Sequence, residues 1–177
     1  KHAITLEHLR MGALKGEILD ADGSTLVDLF DEFDITAQSV PFEFSTATDN
    51  GQLKGACLDL LGLMEDGLAG EFSTGLHVLC SPEFFRALTT HKEVKTAYTN
   101  WQQGVILIND VRSGFTYTGV TFEEYRGQAT DMNGTVRKFI APGEAHAFPL
   151  GTVDTFGTYV APADFNETVN TLGQPLY

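Results

Sequence analysis

Two apolar rhythms divide this chain, and each demands a different backbone. Leu53, Cys57, Leu60, Leu61 and Met64 recur at i, i+4, i+7, i+8 and i+11. That spacing is one stripe of an α-helix and predicts a helix over about 50–67, capped by Asp49 or Asn50 and stopped by Gly67 and Gly70. From Phe115 the period falls to two: Phe115, Tyr117 and Gly119 alternate with Thr116 and Thr118, as strands require. A chain carrying both rhythms must pack helices against a sheet.

The remaining local signals fill in that plan. Over residues 1 to about 14, Ile4, Leu6, Leu9, Met11 and Leu14 fit the last turns of a helix whose end Gly12 and Gly16 bracket. Asp22-Gly23 and Asn133-Gly134 are hairpin pairs, the first between strands expected at 16–21 and 24–30. Residues 41–45, 76–80, 122–125, 136–140 and 145–150 are further strand candidates, and 105–108 reads equally as strand or helix. Ser81-Pro82-Glu83 opens a helix with a hydroxyl cap, a proline in the first turn and an early acid. A second helix follows over 91–101 with Val94, Tyr98 and Trp101 inward, and a last one over 162–172. The predicted class is α+β, with helices around a mainly antiparallel sheet and Leu53, Leu60, Leu61, Phe84 and Phe85 in its core.

Composition narrows the function. The 177 residues carry 42% hydrophobic and 20% charged side chains, enough to bury a core. The formal net charge is −13, which argues against nucleic-acid binding through a basic footprint. The acidic run Asp28, Asp31, Glu32 and Asp34 reads as a solvated face, since it lacks the ladder of a calcium loop. Cys57 and Cys80 each sit in an apolar stretch, read as buried free thiols that fit a reducing compartment. No apolar run is long enough to span a membrane as a helix.

Reactive groups do not assemble into a motif. Ser73, Ser81 and Ser113 lie in no Gly-x-Ser-x-Gly elbow. His77 and Cys80, three apart on one strand, face opposite sides. His2, His8, His77, His91 and His146 form no H-x-x-x-H pair, and C-x-x-C is absent. Glu123 and Glu124 are adjacent, so one is expected exposed and the other paired, with Arg126 the nearest cation. The glycine-rich 67–75 segment lacks the Lys-Ser or Lys-Thr of a phosphate loop. The expectation is no catalytic residue, no cofactor and no metal ligand.

Three stretches in register carry a resemblance: MGALKGEILDADGSTLVDLFDEFDI at 11–35; GLHVLCSPEFFRALTTHKEVKTAYTNWQ at 75–102 with GVTFEEYRG at 119–127; and AHAFPLGT at 145–152 with APADFNETVNTLGQPLY at 161–177. They resemble the major capsid protein E family, the lambda-type major head proteins of tailed phages. The resemblance implies the Hong Kong 97-type phage capsid fold, with 1–46 as the end of the spine helix and a peripheral-domain hairpin. Residues 47–160 would be the axial domain and 161–177 a return segment toward the peripheral domain. It implies a structural subunit of the icosahedral head of a tailed double-stranded-DNA phage or prophage, made in the host cytoplasm and resident in the virion. Its partners would be copies of itself, with decoration, scaffold and portal proteins as further candidates, and neither specific DNA binding nor a membrane. The family pattern also includes an N-terminal arm, an extended loop, most of the spine helix and a C-terminal segment outside these 177 residues. It supplies no catalytic residues.

Trp101, Tyr98, Tyr125 and Arg126 are the interface candidates by residue type, although Trp101 and Tyr98 read more simply as core. Two other classes remain open at this point. A small-molecule-binding or enzymatic α+β domain would need a pocket gathering His77, Cys80, Glu123 and His146. Another virion component, such as a decoration or tail protein, would be separated by its gene neighbours.

Overall fold

The computed structural model describes residues 12, 14–20, 22–45, 51–102, 112, 114–130, 133–153 and 155, with the side chains of 98–102 outside that description. Residues 12, 14 and 15 are helical and end at Gly16, whose φ of 70° supplies the left-handed residue that such an end favours. Strands β1 (Glu17–Leu19) and β2 (Thr25–Asp28) then pair antiparallel. Their connection differs from the tight two-residue turn implied by Asp22-Gly23. Asp20 and Ser24 still pair (N–H to O, 2.7 Å), leaving a three-residue loop with Gly23 at φ 88°. The second strand is also shorter than expected: Asp28 accepts the Phe30 N–H at 2.9 Å and caps a helical turn, α1 (Leu29–Glu32). The residues 41–45 form no strand. Phe42 and Phe44 instead set their rings edge-on to Phe84 at 5.4 and 4.9 Å.

Helix α2 (Gln52–Gly67) matches the apolar stripe. Leu53 and Cys57 are buried, while Leu60, Leu61 and Met64 are half-buried against the same core. Thus Leu53, Phe84 and Phe85 meet the burial expectation, and Leu60 and Leu61 meet it only in part. The cap position is Gly51, with no side-chain cap of its own; Asp49 and Asn50 lie outside the described residues.

Strand β3 (Gly75–Cys80) leads into α3 (Pro82–Thr90) through the expected cap, Ser81, whose Oγ accepts the Phe84 N–H. Helix α4 (Lys92–Gln102) follows, with Val94 buried. Then come β4 (Phe115–Tyr117), β5 (Val120–Glu124), β6 (Gln128–Thr130), β7 (Val136–Lys138) and β8 (Ala145–Leu150). Strands β4 and β5 are joined by Thr118-Gly119, both at positive φ (49° and 78°), the geometry of a primed two-residue turn. The alternating run therefore breaks there into two strands. Asn133-Gly134 lies in the β6–β7 hairpin, as its composition suggested. The stretches 105–108 and 162–172 lie outside the described residues.

The main sheet has the order β4-β5-β3-β8. Its outer pairs are antiparallel, but the central β3–β5 pair is parallel, so the sheet is mixed rather than simply antiparallel. A parallel pair needs a crossover, and α3 and α4 lie within that connection. One face carries Leu76, Val78, Phe115, Tyr117, Val120 and Phe122 into a single core with Leu53, Cys57, Phe84, Phe85, Leu88 and Val94 of the helices.

Candidate assembly surface

The alternation that buries one sheet face leaves the other partly open. By register, Thr116, Thr121, Glu123, His77, Leu79, His146 and Phe148 share that second face, and all are half-buried or exposed. His77 and Glu123 meet there, Nε2 to Oε2 at 2.9 Å, with the Phe148 ring 5.4 Å from the imidazole. Of the four residues a reactive pocket would gather, these two come together on the second sheet face. Cys80 points the opposite way into the core, where its Sγ donates to the Val78 carbonyl at 3.7 Å. Burial pushes its thiol far above the ordinary range. Cys57 is pushed up to about 12, first by burial and then by the charge of Glu93. Both thiols are free, buried and held in the non-nucleophilic form, as the sequence implied.

His146 stands on the sheet's edge strand. Burial, then the nearby Lys15 ammonium, hold it below its ordinary value, against the opposing pull of Glu144 and the Leu14 backbone. Its Nε2 is 3.9 Å from Glu144 Oε2, outside hydrogen-bond reach, while Lys15 and Glu144 pair at 3.6 Å. These residues rim a groove of about 920 Å³ between the 37–44 segment and α2, floored by Phe42, Phe44, Leu60, Leu63 and Met64. Among the interface candidates, Arg126 is exposed and pairs with Glu124, the predicted partner. Tyr125 is half-buried with its ring stacked on Phe139 at 6.4 Å. The side chains of Tyr98 and Trp101 lie outside the described residues.

Glu93 is the polar residue that sequence reasoning missed. It is buried in the first turn of α4, yet its two oxygens accept the Leu53 and Lys54 N–H groups at 3.1 and 3.0 Å and the Tyr117 hydroxyl at 2.9 Å. It therefore caps α2 from another helix and replaces the absent local cap.

What results is a mixed α+β domain with a half-open sheet face and an apolar groove. No cluster of three or more His, Cys, Asp or Glu suited to a metal ion occurs among the described residues. No helix among the described residues is long and apolar enough to cross a membrane.

The chain belongs to the phage major capsid protein E family, whose model matches residues 1–177. It is 31% identical, over its whole length and 55% of the relative's, to the major capsid protein of Salmonella phage Felix O1. It is 33% identical, over 99% of its own length and 54% of the relative's, to the major capsid protein of Pseudomonas phage KPP10. The chain thus spans about half the length of the curated relatives it matches.

Proposed function

We propose that this chain is part of a structural subunit of the icosahedral head of a tailed double-stranded-DNA phage or prophage, and that it works by contact rather than by catalysis. The observation that carries this reading is the match to capsid proteins along the full 177 residues rather than over one motif. The reading includes the Hong Kong 97-type fold, with 47–160 as the axial domain, 1–46 as the end of the spine helix and a hairpin, and 161–177 as the return segment. The half-open sheet face supports it, because it leaves a surface of the domain available to neighbouring copies. The subunit resides in the virion shell after assembly in the host cytoplasm. Its partners are copies of itself, with decoration, scaffold and portal proteins as further neighbours. It carries no catalytic centre and uses no cofactor. With a net charge of −13 it lines or surrounds DNA without gripping it.

The test is proteomic. Phage particles formed from the gene in its native neighbourhood are separated into heads and tails, and peptides from each fraction are counted. Peptides of this chain dominate the head fraction if the reading is right. Their confinement to tails, or to a minor head protein, contradicts it.

A further inference from the structure

We propose that the groove between residues 37–44 and α2 is a docking site for a cationic, apolar-anchored peptide segment of a different protein. The inference deepens the shell reading by giving the chemistry of a non-identical neighbour, and rests on that reading only for the neighbour's place in the head.

The groove is a stretch of core that the described residues leave open. On the helix side the stripe of α2 continues past its buried part, so Leu60, Leu63 and Met64 line the space half-buried or exposed. On the sheet side the edge strand β8 presents Ala145 and Ala147, paired with Cys80 and Val78. Alanine is too short to fill the gap to the helix, and about 920 Å³ stays open. A volume of that size takes several apolar side chains, as a peptide segment supplies.

The border selects the charge of the guest. Glu17, Asp28 and Glu144 line it, with Lys15 the one Lys or Arg among the described lining residues. Lys15 is already engaged by Glu144 at 3.6 Å. Glu17 and Asp28 stand directly opposite each other in the β1–β2 pair. Like charges so placed destabilise a ribbon, and no Lys or Arg among the described residues pairs with either. His146 also lines the groove, and its Nε2 is buried with no hydrogen-bond partner among the described residues. Its bond to the Leu14 backbone uses the other ring nitrogen, and burial holds the imidazole below its ordinary value. At neutral pH the Nε2 is therefore an acceptor facing no donor. Two unopposed carboxylates and an unfilled acceptor suit ammonium or guanidinium groups. A chain of net charge −13 attracts such a segment and repels its own copies.

The test is fluorescence anisotropy with the 177-residue chain and three labelled synthetic peptides. One carries leucine and phenylalanine flanked by lysines, one the same apolar residues flanked by glutamates, and one lysines interspersed with serines. The first binds saturably with a dissociation constant below about 1 mM and about tenfold or more tighter than the other two. Its binding weakens as salt rises. Glu17→Lys and Leu63→Ser each raise that constant by about fivefold or more. Glu65→Lys makes the same charge change on the exposed side of α2, outside the groove lining, and leaves it unchanged. Circular dichroism separates lost binding from lost fold. Glu17→Lys also raises Tm by about 1–4 °C, because it turns a like-charge pair into an opposite one. A fall in Tm would show that the carboxylate serves the fold and overturn its assignment to a guest. No saturable binding, equal binding of the three peptides, or equal effects of Glu17→Lys and Glu65→Lys overturns the proposal. So does loss of binding in the whole gene product, which would put its own residues in the groove. Self-association without peptide, abolished by Leu63→Ser, would give the groove to a second copy and overturns it too. None of these readouts needs a shell, so their failure leaves the shell reading standing, and absence of shells from the whole gene product refutes that reading alone.

Discussion

Replacing Glu93 by alanine should unlock the helical side of the domain. The substitution strands the Leu53 and Lys54 N–H groups at the start of α2 and the Tyr117 hydroxyl in the core. Loss of a helix cap costs about 1–2 kcal/mol. A buried hydroxyl left without its charged acceptor adds about 1–2 kcal/mol. The sum is about 3 kcal/mol, which for a chain of this size lowers Tm by about 6–12 °C. Glu93→Gln keeps one carbonyl acceptor and should lose roughly half as much. Tyr117→Phe should lose about 1 kcal/mol. Because Glu93 and Tyr117 share a bond, the double variant should be less destabilised than the two singles added together. Urea unfolding of the four proteins measures each term. A Glu93→Ala loss below about 0.5 kcal/mol, or strict additivity with Tyr117→Phe, would refute the cross-helix cap.

Other consequences are as direct. Folding raises the pKa of Cys57, Cys80 and Tyr117, so the native state holds protons that the unfolded chain has released. Stability is therefore complete below the ordinary thiol value of 9.0 and falls as pH rises toward 12, by about 1.4 kcal/mol per pH unit for each group in its window; urea midpoints across that range check it, and Cys57→Ala should flatten the slope. Both thiols should resist a water-soluble disulfide reagent until denaturant is added, and prompt native labelling would contradict their burial. Thr118, a β-branched residue at φ 49° in the β4–β5 turn, should accept Asn with a gain of about 0.5–1 kcal/mol, read from the melting temperature. Low-salt gel shifts with duplex DNA should show no complex, and a salt-sensitive band would contradict the reading of the acidic surface.

Legibility in the sequence followed the range of the interactions. The stripe from Leu53 to Met64 and the Ser81-Pro82-Glu83 helix start are short-range signals, and both elements stand where they indicated. The opposed faces of His77 and Cys80 followed from strand alternation alone. Longer-range choices were hidden. Phe42 and Phe44 alternate as in a strand, but the aromatic cluster around Phe84 captures them as a loop. The parallel register of β3 on β5 depends on packing of the helices between them, which no local window contains. Thr118-Gly119 escaped notice because threonine seldom occupies a left-handed turn position. Glu93 was least visible of all. Its partners lie 40, 39 and 24 residues away, and within α4 it reads as an ordinary first-turn acid. The capsid assignment came from three stretches in order along the chain, a kind of information that periodicity and charge do not carry.

Electron microscopy of the whole gene product tests most directly the proposal that it builds a shell. Purified and viewed in negative stain, alone and together with its head-gene neighbours, the product should form capsomer rings or closed particles. Dispersed monomers under both conditions, from protein shown to be folded, would contradict the account.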